Sequence, residues 1–155
     1  MIKAVVSDFS RVLLSPIDDD YTGGLNDLHK ELSASGTYDF WSYFQVNQDL
    51  LAFFQTIGER VDIYMFTTEY IQEHPALQPS LAGIFKNIFS GARLGLKKSD
   101  PQAYETIAEN IGLKPEEILY IDDKQANLDV AKQAGLNVAL FQTNNQIIPY
   151  IGKSL

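Results

Sequence analysis

The 155-residue sequence contains no cysteine. Disulfides, thiolate metal sites and a cysteine nucleophile are therefore excluded, and the chain suits a reducing compartment. Long apolar runs are also missing: nothing approaches the roughly 20 consecutive apolar residues that cross a bilayer. The start of the chain lacks a basic region followed by an apolar stretch and a small-residue cleavage site. A cytoplasmic location without a membrane partner is the expectation. Positive charge is scarce, with 12 Lys and Arg against 20 Asp and Glu and a net charge of −8. That balance argues against a nucleic-acid backbone or an anionic membrane as partner. An acidic protein that handles anions then needs local positive charge or a metal. The two glycine-rich phosphate-loop fingerprints, GxGxxG and GxxxxGK[ST], are absent, as are internal repeats and low-complexity segments.

What is present is ordinary for a soluble globular protein, 45% apolar and 21% charged. The length suits one domain over residues 1–155. Ile2–Leu14 opens with a β-branched apolar run that stops at Asp8, the pattern of a buried parallel strand aiming a carboxylate out of its C-terminal end. Taken alone, an Asp in that place more often starts a turn or caps a helix. The acidic stretch Asp18-Asp19-Asp20 lacks the remaining ligands of a calcium loop and reads as solvated linker. Leu25, Leu28, His29 and Leu32 predict a short amphipathic helix closing near Gly36, and the aromatic cluster Phe40–Phe44 is expected to pack rather than to touch ligand. A second helix spans Asn47–Ile57, and a second buried strand, Arg60–Phe66, ends at Thr67-Thr68.

The segment from Glu73 to Pro79, with His74, is broken by prolines and reads as loop or fragmentary helix, and Ile88-Phe89 precede another strand end at Ser90-Gly91. Lys97-Lys98-Ser99-Asp100-Pro101 opens a helix with a cap and Pro at its first position, which Gly112 terminates. Strand Ile118–Ile121 ends at Asp122-Asp123; helix Lys124–Ala134 and strand Asn137–Phe141 follow, and the tail beyond Gln142 is polar and poorly patterned. Strands alternating with helices of this length predict a parallel sheet covered on both faces, a three-layer α/β/α Rossmann-like fold. Ligands of such sheets sit beyond the carboxyl ends of the strands.

Asp8, Thr67, Lys98 and the pair Asp122-Asp123 all fall at or just beyond that end. Adjacent carboxylates without a thiolate or clustered histidine select a hard cation such as Mg²⁺. The set suits phosphoryl transfer, in which an Asp can serve as covalent nucleophile.

In order, VVSDFSRVLL, VDIYMFTT, LKKSDPQAY and ILYIDDKQANLDVAKQAG resemble the four motifs of the haloacid dehalogenase-like (HAD) hydrolase superfamily, over nearly the whole chain except about 17–46. The resemblance implies Asp8 as nucleophile and metal ligand, the main-chain carbonyl of Ser10 as second ligand, and Thr67 as the hydroxyl that holds phosphate. It implies Lys98 as the charge-neutralising lysine, with Lys97 in its place if the register slips by one, and Asp122 as direct Mg²⁺ ligand supported by Asp123. Residues 17–46 correspond to the cap that selects substrate, here reduced to a lid. A small phosphorylated molecule is the expected substrate, and exposed lid aromatics could mark a homodimer surface.

Ser10 is the departure, since phosphatases of this family usually carry a second Asp there. That Asp protonates the leaving group and then activates water. General acid–base catalysis is worth about 10²–10⁴-fold, so Ser10 predicts slow turnover of alkyl phosphates. Three alternatives to a working phosphatase stay open: a catalytically impaired phosphate- and metal-binding module, a phosphonate hydrolase and a haloacid hydrolase. The intact Asp122-Asp123 pair disfavours metal-independent dehalogenation. Phosphonate cleavage needs an imine-forming lid lysine, for which Lys30 is the sole candidate in the insert.

Overall fold

A computed structural model describes residues 1–155. Five strands, β1 (Ala4–Ser7), β4 (Asp62–Thr67), β5 (Asn87–Ser90), β6 (Ile118–Asp122) and β7 (Asn137–Leu140), form one sheet in the order β5-β4-β1-β6-β7. All four pairings are parallel. The chain builds outward from β1 to β5 and then crosses to the other side of β1 for β6 and β7. β1 is therefore the switch point, where the crevice of an open α/β sheet opens.

Side chains alternate cleanly across the sheet. Val5, Ile63, Met65, Leu119 and Ile121 face one apolar cluster, whereas Val6, Tyr64, Phe66, Ile118 and Tyr120 face the other. Helices α2 (Gln48–Ile57) and α7 (Asn144–Ser154) cover the first face through Leu50, Phe54, Ile57, Ile147 and Ile151. Helices α5 (Pro101–Ile111) and α6 (Gln125–Gln133) cover the second through Tyr104, Ile107, Leu128 and Ala131. Strands buried on both faces explain why the apolar runs are continuous rather than alternating. The predicted three-layer α/β/α Rossmann-like sheet is the observed one.

Two parts differ from expectation. The polar tail is a helix, α7, capped by the Thr143 side chain and carrying Pro149 inside. Its Ile147 and Ile151, one turn apart, are fully buried. Asn47 and Asn144 exchange two amide hydrogen bonds of 2.8 Å, which join the starts of α2 and α7. The second difference is an antiparallel ribbon of β2 (Leu14–Pro16) and β3 (Phe44–Val46) at the base of the insert. Each strand is three residues long, too short for a period to show. Between them lies α1 (Leu25–Ser33), which ends before the expected Gly36. Leu25, Phe40 and Phe44 are buried in the same cluster as Phe9 and Leu13, so the insert is packed into the main core. The Phe40–Phe44 segment divides: Phe40 and Phe44 pack, and Trp41 and Tyr43 are exposed.

Candidate active site

Asp8 leaves β1 at the switch point, its amide donating to Ile121 O at 2.8 Å. Its carboxylate Oδ1 accepts from Phe9 N–H at 2.7 Å and from Lys98 Nζ at 2.5 Å, which leaves Oδ2 free of protein hydrogen bonds. Lys98 comes from the loop between α4 (Gly91–Leu94) and α5. That loop folds tightly back on Gly91, the residue that follows β5, with Leu96 N–H donating to Gly91 O at 3.0 Å. A Cβ on Gly91 would stand 2.5 Å from Leu96 O, so only glycine fits there. Asp100 caps α5 by accepting from Gln102 N–H at 3.0 Å, and Tyr104 Oη donates to Lys98 O at 2.9 Å. Lys98, not Lys97, thereby reaches the carboxylates, with a second contact of 3.2 Å to Asp122 Oδ2.

Asp122 ends β6 and is fully buried. Its Oδ2 accepts from Tyr120 Oη at 2.5 Å and Asn127 Nδ2 at 3.0 Å, and its Oδ1 from Lys124 N–H at 2.9 Å. Asp123 is the opposite case, with Oδ1 buried and without any partner. The Ser10 hydroxyl is likewise buried and unpartnered. Carboxylate oxygens of Asp8, Asp122 and Asp123 lie within 4.8 Å of one another.

Three carboxylates around one ammonium set the local electrostatics. Burial pushes the Asp8 carboxyl up to about 7 against the pull of Lys98. Burial also disfavours charge on Lys98, but the adjoining carboxylates of Asp8 and Asp122 outweigh it and hold the ammonium above its ordinary range. Asp122 is buried too, yet Lys98 and the Tyr120 hydroxyl hold it below the carboxylate range. Burial and neighbouring Asp122 raise Asp123. Were all four groups ionised, the cluster would carry two excess negative charges. Hard oxygen donors, that excess and the orphaned Asp123 Oδ1 fit a divalent cation such as Mg²⁺.

Asp8, Ser10, Lys98 and Asp123 line a cavity of about 270 Å³, closed on its other side by Thr22–Asp27 of the insert. Leu25 is its one hydrophobic lining residue. Thr67 does not line this cavity. It is the last residue of β4, paired with Ser90 and buried, and Thr68 forms the wall instead. The periodicity of β4 placed the strand end one residue too early to separate the two hydroxyls. Arg11, Asn26 and Thr68 also line the cavity; no motif spacing pointed to Arg11 or Asn26. The histidines lie away from it, packed together with Tyr38 and Phe40 where the insert meets the body. Lys30 is ion-paired with Glu69.

At the switch point of the parallel sheet, the Asp8 carboxylate thus stands beside a lysine and a carboxylate pair. The model of the haloacid dehalogenase-like hydrolases matches residues 12–135, and the chain belongs to that family. An enolase-phosphatase E1 of Aquifex aeolicus is 44% identical over 62 residues, 38% of this chain and 27% of that protein. The GMP/IMP nucleotidase YrfG of Escherichia coli is 40% identical over 57 residues, 37% of this chain and 26% of that protein. The chain thus aligns with about a quarter of the length of these two curated relatives. Among solved structures, the HAD family enzyme BT-2542 of Bacteroides thetaiotaomicron superposes with a TM-score of 0.73 at 12% identity, over 97% of this chain and 98% of that one. The same enzyme has been crystallised with magnesium and inorganic phosphate. No helix of this chain is long and apolar enough to cross a membrane.

Proposed function

We propose that the chain is a Mg²⁺-dependent phosphatase of a small phosphorylated molecule, acting through an aspartyl-phosphate on Asp8. The observation that carries this reading is the free Asp8 Oδ2 beside a carboxylate pair and a lysine that can offset the charge of an incoming phosphoryl group. Asp8 Oδ2 attacks phosphorus and the bond to the leaving oxygen breaks. Water then attacks the phosphorus, releasing inorganic phosphate and restoring the carboxylate. Mg²⁺, held by Asp8, the Ser10 carbonyl and the Asp122-Asp123 pair, would let the two anions approach. Within that pair Asp123 offers the free lone pairs and Asp122 is already occupied by four donors, so Asp123 is the better direct ligand and Asp122 the better support. The phosphate hydroxyl falls to Thr67 by motif and to Thr68 by cavity position; Thr67→Ala and Thr68→Ala, compared in KM, separate them.

Ser10 supports a second reading, a phosphate- and metal-binding module with little turnover. Its hydroxyl, with an ordinary and very high pKa, neither protonates a leaving alkoxide nor activates water well near neutral pH. The ion pair of Lys30 with Glu69 and its exposed ammonium speak against imine formation, and the three clustered carboxylates speak against metal-independent dehalogenation. Exposed Trp41 and Tyr43 on the insert are the candidate dimer surface, and the cytoplasm the candidate compartment. The deciding assay is hydrolysis of p-nitrophenyl phosphate and acetyl phosphate with and without Mg²⁺. Activity that needs Mg²⁺ and disappears in Asp8→Asn supports the phosphatase; equal activity in Asp8→Asn overturns it.

A further inference from the structure

Arg11 has φ +63° and is the one non-glycine residue of the chain in the left-handed region. There its Cβ crowds the backbone, so the conformation persists only where the surroundings impose it. A tight turn after the nucleophile does so. Arg11 N–H donates to Leu14 O at 2.6 Å, and the amides of Val12, Leu13 and Leu14 all converge on Phe9 O at 3.2, 2.8 and 3.1 Å. Glycine would hold this turn without strain. What arginine adds is reach. Its Nη2 crosses the cavity mouth and donates to Tyr21 O at 3.0 Å and Gly23 O at 2.8 Å.

The segment so gripped has no regular structure, and Thr22, Gly23 and Gly24 are exposed. Before Leu25 enters the core, the Tyr21 ring packs against that cluster and its Oη donates to Gly24 O at 3.0 Å, and no apolar side chain holds Thr22–Gly24 themselves. Beyond that point the insert is tied down again, by Asn26 Oδ1 accepting from Tyr70 N–H at 3.3 Å and Ile71 N–H at 3.1 Å. Thr22–Gly24 is therefore a cavity wall strung between Tyr21 and Leu25, and Arg11, three residues from Asp8, holds its carbonyl side.

We propose that Arg11 is a positioning residue, a latch that couples the turn after the nucleophile to the Tyr21–Gly24 wall and sets how closely that wall approaches a molecule bound at Asp8. A charged donor shared by two carbonyls is stronger than neutral hydrogen bonds. This latch offsets the strain of the left-handed arginine, and its loss frees the wall rather than the sheet.

Three variants separate latch from strain. Arg11→Gly removes both, Arg11→Ala keeps the strain and loses the latch, and Arg11→Lys keeps a cation able to reach one carbonyl. Hydrogen exchange of the two bonded amides that bracket the wall, Tyr21 N–H on Asp18 O and Leu28 N–H on Gly24 O, both at 3.1 Å, is the primary readout. It should quicken about ten-fold or more in Arg11→Gly and Arg11→Ala and less in Arg11→Lys, with the sheet amides unchanged. Arg11→Gly should melt no lower than the parent, and Arg11→Ala lower. The kinetic arm rests on the phosphatase reading: KM for p-nitrophenyl phosphate should rise on the order of ten-fold with kcat within about three-fold. Unchanged exchange at Tyr21 and Leu28 in a folded Arg11→Gly overturns the latch. An inactive parent protein sinks the phosphatase reading alone, because the exchange arm needs no turnover.

Discussion

The two sides of the cavity are built differently. On the sheet side, Asp8, Asp122 and Asp123 stand at the ends of parallel strands whose register fixes each against its neighbour, Lys98 reaches them from the loop before α5, and Tyr120, Asn127 and Lys124 N–H hold Asp122 in place. The insert side rests on three buried side chains, Leu25, Phe40 and Phe44, and a few polar ties from Arg11, Asn26 and Lys30. Charge and rigidity are concentrated where chemistry needs a preorganised field. Shape is left to a wall that can change with little cost to the core. On the proposed reading, one side carries the reaction and the other selects the molecule.

That contrast is broken most sharply from the sheet side. In Lys98→Ala the side chains of Asp8 and Asp122, 8% and 0% exposed, lose their shared cation. Leaving buried charge unpaired costs about 3–5 kcal/mol, so melting should fall well below the parent and Mg²⁺ should recover much of the loss. Phosphatase activity should drop to background. A Lys98→Ala protein with parental melting and no response to Mg²⁺ would show that the four groups are not electrostatically coupled.

Next comes the missing acid. Ser10→Asp should raise turnover of alkyl phosphates by about 10²–10⁴-fold and raise it less for p-nitrophenyl phosphate, whose leaving group needs no proton. No gain on either substrate would favour the binding-module reading.

From the insert side the expected effects are smaller. Asn26→Ala strands the backbone N–H of buried Ile71, whereas Tyr70 N–H is open to water, and should cost about 1 kcal/mol. Thermal melting and proteolysis near Tyr70 read that loss, while Mg²⁺ binding should stay at the parental value. Loss of Mg²⁺ binding would mean that the two sides are not independent.

The smallest effect is a pH dependence at the joint. His29 Nδ1 is bonded to Tyr38 Oη at 2.7 Å, and His74 Nδ1 accepts from Ala76 N–H at 3.1 Å. Burial lowers both rings below the ordinary 6.5, His29 further through His74. The unfolded chain therefore binds protons first as pH falls, so stability is full above about 6.5 and declines below it. Between about pH 7 and pH 5 the burial-raised Asp8 carboxyl acts in the opposite sense, so the histidine contribution is read as a difference: the parent should lose stability relative to His29→Gln/His74→Gln as pH falls. Parallel curves for the parent and the double variant would show that the two rings bind protons equally in the folded and unfolded chain.

Much of this was legible along the chain. Helix α5 declared both ends, through Asp100, Pro101 and a left-handed Gly112, because caps act within one turn. The strands that end at Asp8 and Asp122 stood out because burial on both faces makes their apolar runs continuous. Helix α7 escaped notice because Pro149 and exposed polar residues mask two buried isoleucines one turn apart. The β2/β3 ribbon escaped because three-residue strands have no period. Arg11 gave no signal at all, since a left-handed arginine is imposed by its surroundings and not by its own preference.

By itself, then, the order of residues determined the elements and which carboxylates end which strands, because hydrophobic period and capping are local. Only the tertiary structure decided that Lys98 rather than Lys97 reaches Asp8, that Asp122 is saturated while Asp123 keeps a free oxygen, that Thr68 rather than Thr67 lines the cavity, and that Arg11 grips the wall. Each of those outcomes depends on which donors arrive from distant parts of the chain. No local pattern can count partners that packing alone brings together.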